Sequence, residues 1–263
     1  LREVMALARE LKVPIHRVSQ GSGILLLPKA EIAEMARIGR DHEIEVCLFV
    51  GPRASFETGA QAFTSAGKVI GLQHRGADQL LYAIEDVRWA CELGIRSVLP
   101  ADVGLIWTLN EMKKKGKLPK NLVIKSSVTL PAPNPATARL FESAGVSTLN
   151  VPTDLSPAQL GSIRQAVEIP IDMYIEAPDN FGGFVRYYEM PQLISVGAPM
   201  YIKLGLRNAP DIYPSGLHVE PTATLMARER VRRARIALDV LERFAPEVKL
   251  SPLGSKDLGI PEV

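Results

Sequence analysis

Seven short apolar or alternating runs, each followed by a stretch with helical spacing, account for most of this chain and leave few folds open to it. The runs fall at residues 15–19, 44–50, 95–99, 122–127, 146–151, 171–176 and 200–206. Helical patterns follow at 28–38, 77–93, 102–115, 135–143, 156–167, 184–196 and 223–244. One more helix, at 1–11, precedes the first run, with Val4, Leu7, Ala8 and Leu11 at helical spacing. Regular β–α alternation specifies a parallel sheet covered by helices. Seven units behind an orphan helix are one strand short of eight. The expected fold is therefore an α/β (β/α)8 TIM-type barrel whose first strand lies ahead of Leu1. The 263 residues agree with the roughly 250 usual for one such domain. Residues 1–245 are read as that single domain, and 246–263 as an irregular tail.

A doubly wound sheet would alternate in the same way. It would ordinarily carry a glycine fingerprint for a dinucleotide, and Gly21-Ser22-Gly23 continues as Ile24-Leu25-Leu26 without the third glycine. No NAD site is expected. Gly67-Lys68 lacks the glycine spacing of a phosphate loop, and Ser22 lacks the flanking residues of a nucleophile elbow.

Composition narrows the partners. The formal charge of +2 is too near neutral to indicate nucleic acid or a membrane surface. No apolar run approaches the length of a membrane span and no leader pattern opens the chain, so the expected location is cytoplasmic. Five arginines crowd the last helix (Arg228, Arg230, Arg232, Arg233, Arg235), with Glu229 among them. They read as a solvated face or a subunit contact, and the second reading is compatible with a homo-oligomer. Cys47 and Cys91 sit in apolar surroundings and read as buried free thiols. Two cysteines alone hold no iron–sulfur cluster.

In a barrel the chemistry sits at the C-terminal ends of the strands. The run Ile171-Asp172-Met173-Tyr174-Ile175-Glu176 ends there, and alternation puts Asp172, Tyr174 and Glu176 on the lumen side. Glu176 is the candidate acid–base residue. Lys203, on the last run, is the candidate Schiff-base or anion-stabilising lysine, expected to share a pocket with Glu176. Lys125 and Asn150 face the same lumen. Arg53, Asp179, Arg207 and Asn208 follow strand ends and are candidates for holding substrate. Alternation in the first run would aim His16, Val18 and Gln20 inward, while Glu45 near the start of the second reads as one half of a structural ion pair. His218-Val219-Glu220, in the long connection at 207–224, offers two same-side groups for acid–base work. With Glu176 they form a candidate divalent-metal set. That connection and residues 53–76 are expected at one rim, as lids.

Asn134-Pro135-Ala136-Thr137-Ala138-Arg139-Leu140, Glu142, Gly145 and Leu149-Asn150-Val151-Pro152-Thr153-Asp154-Leu155-Ser156 resemble the bacterial collagenase-like peptidase family, over about residues 121–180. The resemblance implies a barrel-like fold. Some members use cysteine-bound iron–sulfur clusters in oxygen insertion or RNA modification, and others carry a peptidase label. The cysteines for a cluster are missing here. The expected function is an enzyme for a small anionic or carbonyl-bearing metabolite, of lyase/aldolase or isomerase type. A hydrolase of the resembling family is the alternative, and a non-catalytic binding or scaffold barrel the third reading.

Overall fold

The computed structural model describes residues 1–51, 64–65 and 72–263. Seven strands are present among the described residues: β1 (Arg17–Gln20), β2 (Glu45–Val50), β3 (Ser97–Pro100), β4 (Val123–Ile124), β5 (Leu149–Asn150), β6 (Ile171–Glu176) and β7 (Met200–Leu204). The helices are α1 (Arg2–Glu10), α2 (Lys29–Asp41), α3 (Gly76–Glu92), α4 (Val103–Lys114), α5 (Pro135–Ser143), α6 (Pro157–Arg164), α7 (Met190–Gly197) and α8 (Glu220–Phe244).

Local chemistry starts these helices where the sequence suggests. Asp102 accepts the Leu105 N–H at 2.8 Å and Asn134 the Thr137 N–H at 3.0 Å, while Ser156 and Gln159 close a capping box ahead of Pro157. The helices lie over the outward side chains of the strands. Val46, Leu48, Val50, Val98, Ile124, Leu149, Ile171, Met173 and Ile175 form the layer between sheet and helices.

All strand pairs are parallel, in the orders β1-β2-β3-β4 and β5-β6-β7. A bridge between Lys125 and Thr148 joins the two sheets. The wall therefore runs from β1 to β7, giving a (β/α)8 TIM-barrel-like fold with a gap between its two edge strands. Outside the gap α1 packs on α8, burying Leu7, Ala8, Val13, Val231 and Ala234 together. Inside it, the Arg17 guanidinium of β1 stacks 3.8 Å above the Tyr201 ring of β7. Among the described residues, packing and not backbone pairing spans this part of the wall. No helix among the described residues is long and apolar enough to cross a membrane.

One expectation needs correction. In β1 the inward residue is Arg17, opposite Glu45, and not the set His16, Val18 and Gln20. The side-chain period of a strand is two, so a one-residue error in phase exchanges its faces. His16 instead bonds the Ser251 carbonyl, and Gln20 accepts the N–H groups of Ser22 and Gly23. Residues 246–263 form no helix or strand and are tied into the barrel. Gly259 donates its N–H to buried Glu45 at 3.1 Å, and the Glu262 side chain pairs with Arg96 and Asn121. A Cβ at Gly259 would lie 2.4 Å from the Arg96 carbonyl oxygen. Gly259→Ala should therefore cost about 1–3 kcal/mol in urea unfolding, the range for forced overpacking. An unchanged midpoint would show that the tail does not support the barrel.

Candidate functional site

The candidate residues separate into a buried ion network, a lumen lysine and a rim cluster.

The network is centred on Asp172 of β6. Burial alone would raise its carboxyl pKa, but Lys125, Arg17 and Lys203 outweigh that and hold it below the usual carboxylate value. Lys125, 1% exposed, forms an ion pair with one Asp172 oxygen, and Arg17 reaches the other at 3.0 Å. Arg17 also binds Glu45 through Nε at 2.6 Å and Thr148 at 3.1 Å. Glu45 takes further bonds from Ser97 and the Gly259 N–H. Each carboxylate is thus held by several donors, as buried charges must be.

Lys203 stands apart from this pairing. It is opposite Tyr174 in the β6–β7 register, so both side chains point into the lumen. Its Nζ donates to Asn150 Oδ1 at 2.7 Å and lies 4.1 Å from the centre of the Tyr174 ring. No carboxylate among the described residues lies within ion-pair distance of it. Burial is the largest influence and lowers its pKa; Asp172 partly restores it and Arg17 opposes it again, leaving a value of about 8. Lys203 opens on a cavity of about 1090 Å³ that follows the lumen and the gap between β1 and β7.

Glu176 is not in that cavity. The β6–β7 register shifts between Tyr174 and Glu176, and such an irregularity re-aims the side chain that follows it. Glu176 accepts the Tyr187 hydroxyl at 2.7 Å and the Arg207 N–H at 3.1 Å, with Arg233 Nε at 3.5 Å. It lines a separate rim cavity of about 570 Å³ with Arg207, Asn208 and Arg233. The expected Glu176–Lys203 pocket is therefore not formed. Burial comes first among the causes that push the Tyr187 phenol upward in pKa, followed by its bond to Glu176. These contacts describe a brace for the rim.

Asp179, Arg207 and Asn208 do meet at that rim. Asp179 accepts the Asn208 N–H at 2.5 Å, and Arg207 Nε lies 3.9 Å away with both side chains more than half exposed. The connection after β7 then crosses to the end of β1, where Ser215 donates its N–H to Ser22 Oγ at 2.8 Å. It lies over the C-terminal ends of the strands, as the lid expectation requires of 207–224. Arg53 and most of 53–76 lie outside the described residues. His218 and Glu220 are exposed at the entry to α8. Among the described residues no three His, Cys, Asp or Glu side chains form a group that could hold a metal ion. The candidate set of His218, Glu220 and Glu176 is not brought together. Cys47 and Cys91 are buried and free.

Arg17 is a site residue that the pattern of β1 conceals. Asp172 was visible as an inward residue but carried no signal of being the hub. Arg230, read as part of a solvated cluster, lines the lumen cavity.

No family model matches the sequence, and no curated protein does either. Solved structures match in shape. A protein designated a lyase/mutase from Burkholderia cenocepacia J2315 superposes with a TM-score of 0.50 at 12% identity, covering 95% of this chain and 84% of that one. A protein designated a phosphonomutase from the same organism gives 0.47 at 14% identity, covering 88% and 90%. The U32 peptidase Mk0906 gives 0.38 at 18% identity and 62% coverage of this chain, which spans only 60% of that protein's length. At 12% identity the first of these likenesses concerns the fold alone.

Proposed function

We propose that the protein is an enzyme acting on a small carbonyl-bearing metabolite through an imine at Lys203, in the manner of a lyase/aldolase or an isomerase. The observation that carries this reading is a lysine aimed into a lumen cavity, bonded to an amide oxygen, with no carboxylate among the described residues at ion-pair distance. Buried lysines kept only for structure are normally paired, as Lys125 is with Asp172. With a pKa of about 8, roughly a tenth of Lys203 is the neutral amine at pH 7, against a few parts in ten thousand for an ordinary lysine. The neutral amine attacks the carbonyl carbon, forming a C–N bond as the C=O π pair moves to oxygen. The carbinolamine then loses that oxygen as water, and both amine protons leave the nitrogen. The iminium formed on protonation is an electron sink for cleavage or proton removal at the neighbouring carbon. Asn150 fixes the nitrogen, and the Tyr174 ring beneath it favours the cationic form.

Borohydride reduction in the presence of hydroxyacetone tests the proposal. The expected result is one secondary-amine adduct per chain, mapped by mass spectrometry to the peptide holding Lys203. Adducts spread over surface lysines with Lys203 spared would overturn it.

A further inference from the structure

We propose that the carbonyl substrate is a 2-oxo acid and that Arg230 receives its carboxylate. This rests on the imine reading of Lys203 and adds the substrate class.

Arg230 differs from its neighbours on α8. Arg228 pairs with Glu3 at 3.0 Å, Arg232 with Glu229 at 2.8 Å, and Arg233 with Glu229 at 2.9 Å. Arg235 pairs with Asp239 and Glu242 at 2.6 and 2.7 Å. Arg230 makes no ion pair with any described carboxylate. It is one residue from Val231, on the part of α8 that turns to the gap between β1 and β7, and it lines the cavity that Lys203 opens on. Its charge acts on the Tyr174 phenol, and the Tyr174 ring lies against the Lys203 ammonium. Two cations that pair with no described carboxylate thus line one cavity, and Tyr174 feels the charge of both.

Of the other charged side chains that line the cavity, Lys249 and Asp257 are of opposite sign and belong to the C-terminal tail. Asp172 is held by Lys125 and Arg17, and at the rim Asp179 and Asp211 accept the N–H groups of Asn208 and Tyr213. Lys203 and Arg230 therefore have no described carboxylate at ion-pair distance, and an anion placed between them would neutralise their charge. A guanidinium offers a planar fork that matches a carboxylate, while a partly neutral lysine suits a carbonyl carbon. A 2-oxo acid presents those two groups on adjacent carbons.

The test compares borohydride trapping of pyruvate with that of hydroxyacetone, a neutral ketone of the same carbon number. Each rate is normalised to its reaction with Nα-acetyl-lysine. The unsubstituted protein should favour pyruvate, and Arg230→Gln should reduce that preference about tenfold, the effect of losing one charge-assisted contact. Arg230→Lys should retain part of it. In the unsubstituted protein acetate should slow hydroxyacetone trapping, a measurement that needs no variant to fold. Trapping of both ketones at one normalised rate, a preference that survives Arg230→Gln, or no competition by acetate would overturn the 2-oxo acid inference and leave the imine intact. Trapping of neither ketone at Lys203 would overturn both.

Discussion

Replacing Asp172 with asparagine should destabilise the barrel by roughly 3–5 kcal/mol, the range measured when one member of a buried ion pair is removed. Asp172 is the only carboxylate at ion-pair distance from Lys125 among the described residues, and it also receives Arg17. An amide of the same shape keeps one acceptor and loses the charge. Lys125 would then be almost fully buried with no counter-ion, while Arg17 would keep Glu45. Combining Asp172→Asn with Lys125→Met should recover much of the loss, because the orphaned ammonium is gone. Urea unfolding of the two single variants and the double, with the m value unchanged, measures this. A single-variant loss below about 1 kcal/mol would mean that water or relaxation satisfies Lys125, contrary to the closed network described here.

The same residue gives a pH signature. The folded pKa of Asp172 lies below the unfolded one, so between the two the unfolded chain binds the extra proton. Its contribution is present in full above the unfolded value of 3.8 and is lost as pH falls through the folded value. Asp172→Asn should flatten that part of the acid limb.

The fold was more legible than the site because the two rest on different signals. Strand–helix alternation is spread over the whole chain, so errors of one or two residues at boundaries leave it intact. Site geometry depends on phase. One residue of phase error in β1 hid Arg17, and a register shift after Tyr174 moved Glu176 from the lumen to the rim. Neither event changes composition or periodicity. Arg230 was hidden for another reason. Its neighbours all face carboxylates, and an arginine cluster with interspersed acids looks solvated until the barrel wall is seen to be open beside it. Lys125, Asn150 and Lys203 were recoverable, because each is a polar residue at an inward position of a strand or of the bridge that extends one.

Replacing Lys203 with methionine should abolish imine trapping while leaving stability unchanged or slightly raised. This is the reverse of the expectation for Asp172, and the physical reason is the partner set. Among the described residues no carboxylate within ion-pair distance is orphaned when Lys203 is lost; the variant forfeits one bond to Asn150 and the contact with Tyr174. In exchange it removes a charge that burial disfavours. The sign follows from the lowered pKa. Between about 8 and the ordinary 10.5 the unfolded chain binds more protons than the folded one, so stability rises with pH across that window. Below it the charged lysine costs stability in full. Lys203→Met should erase this slope, read as Tm against pH. In the unsubstituted protein the trapping rate should climb with pH and level off with an apparent pKa of about 8, because only the neutral amine attacks. A midpoint above 10, or a methionine variant that loses several kcal/mol as Asp172→Asn does, would place Lys203 in the structural network and remove it from catalysis.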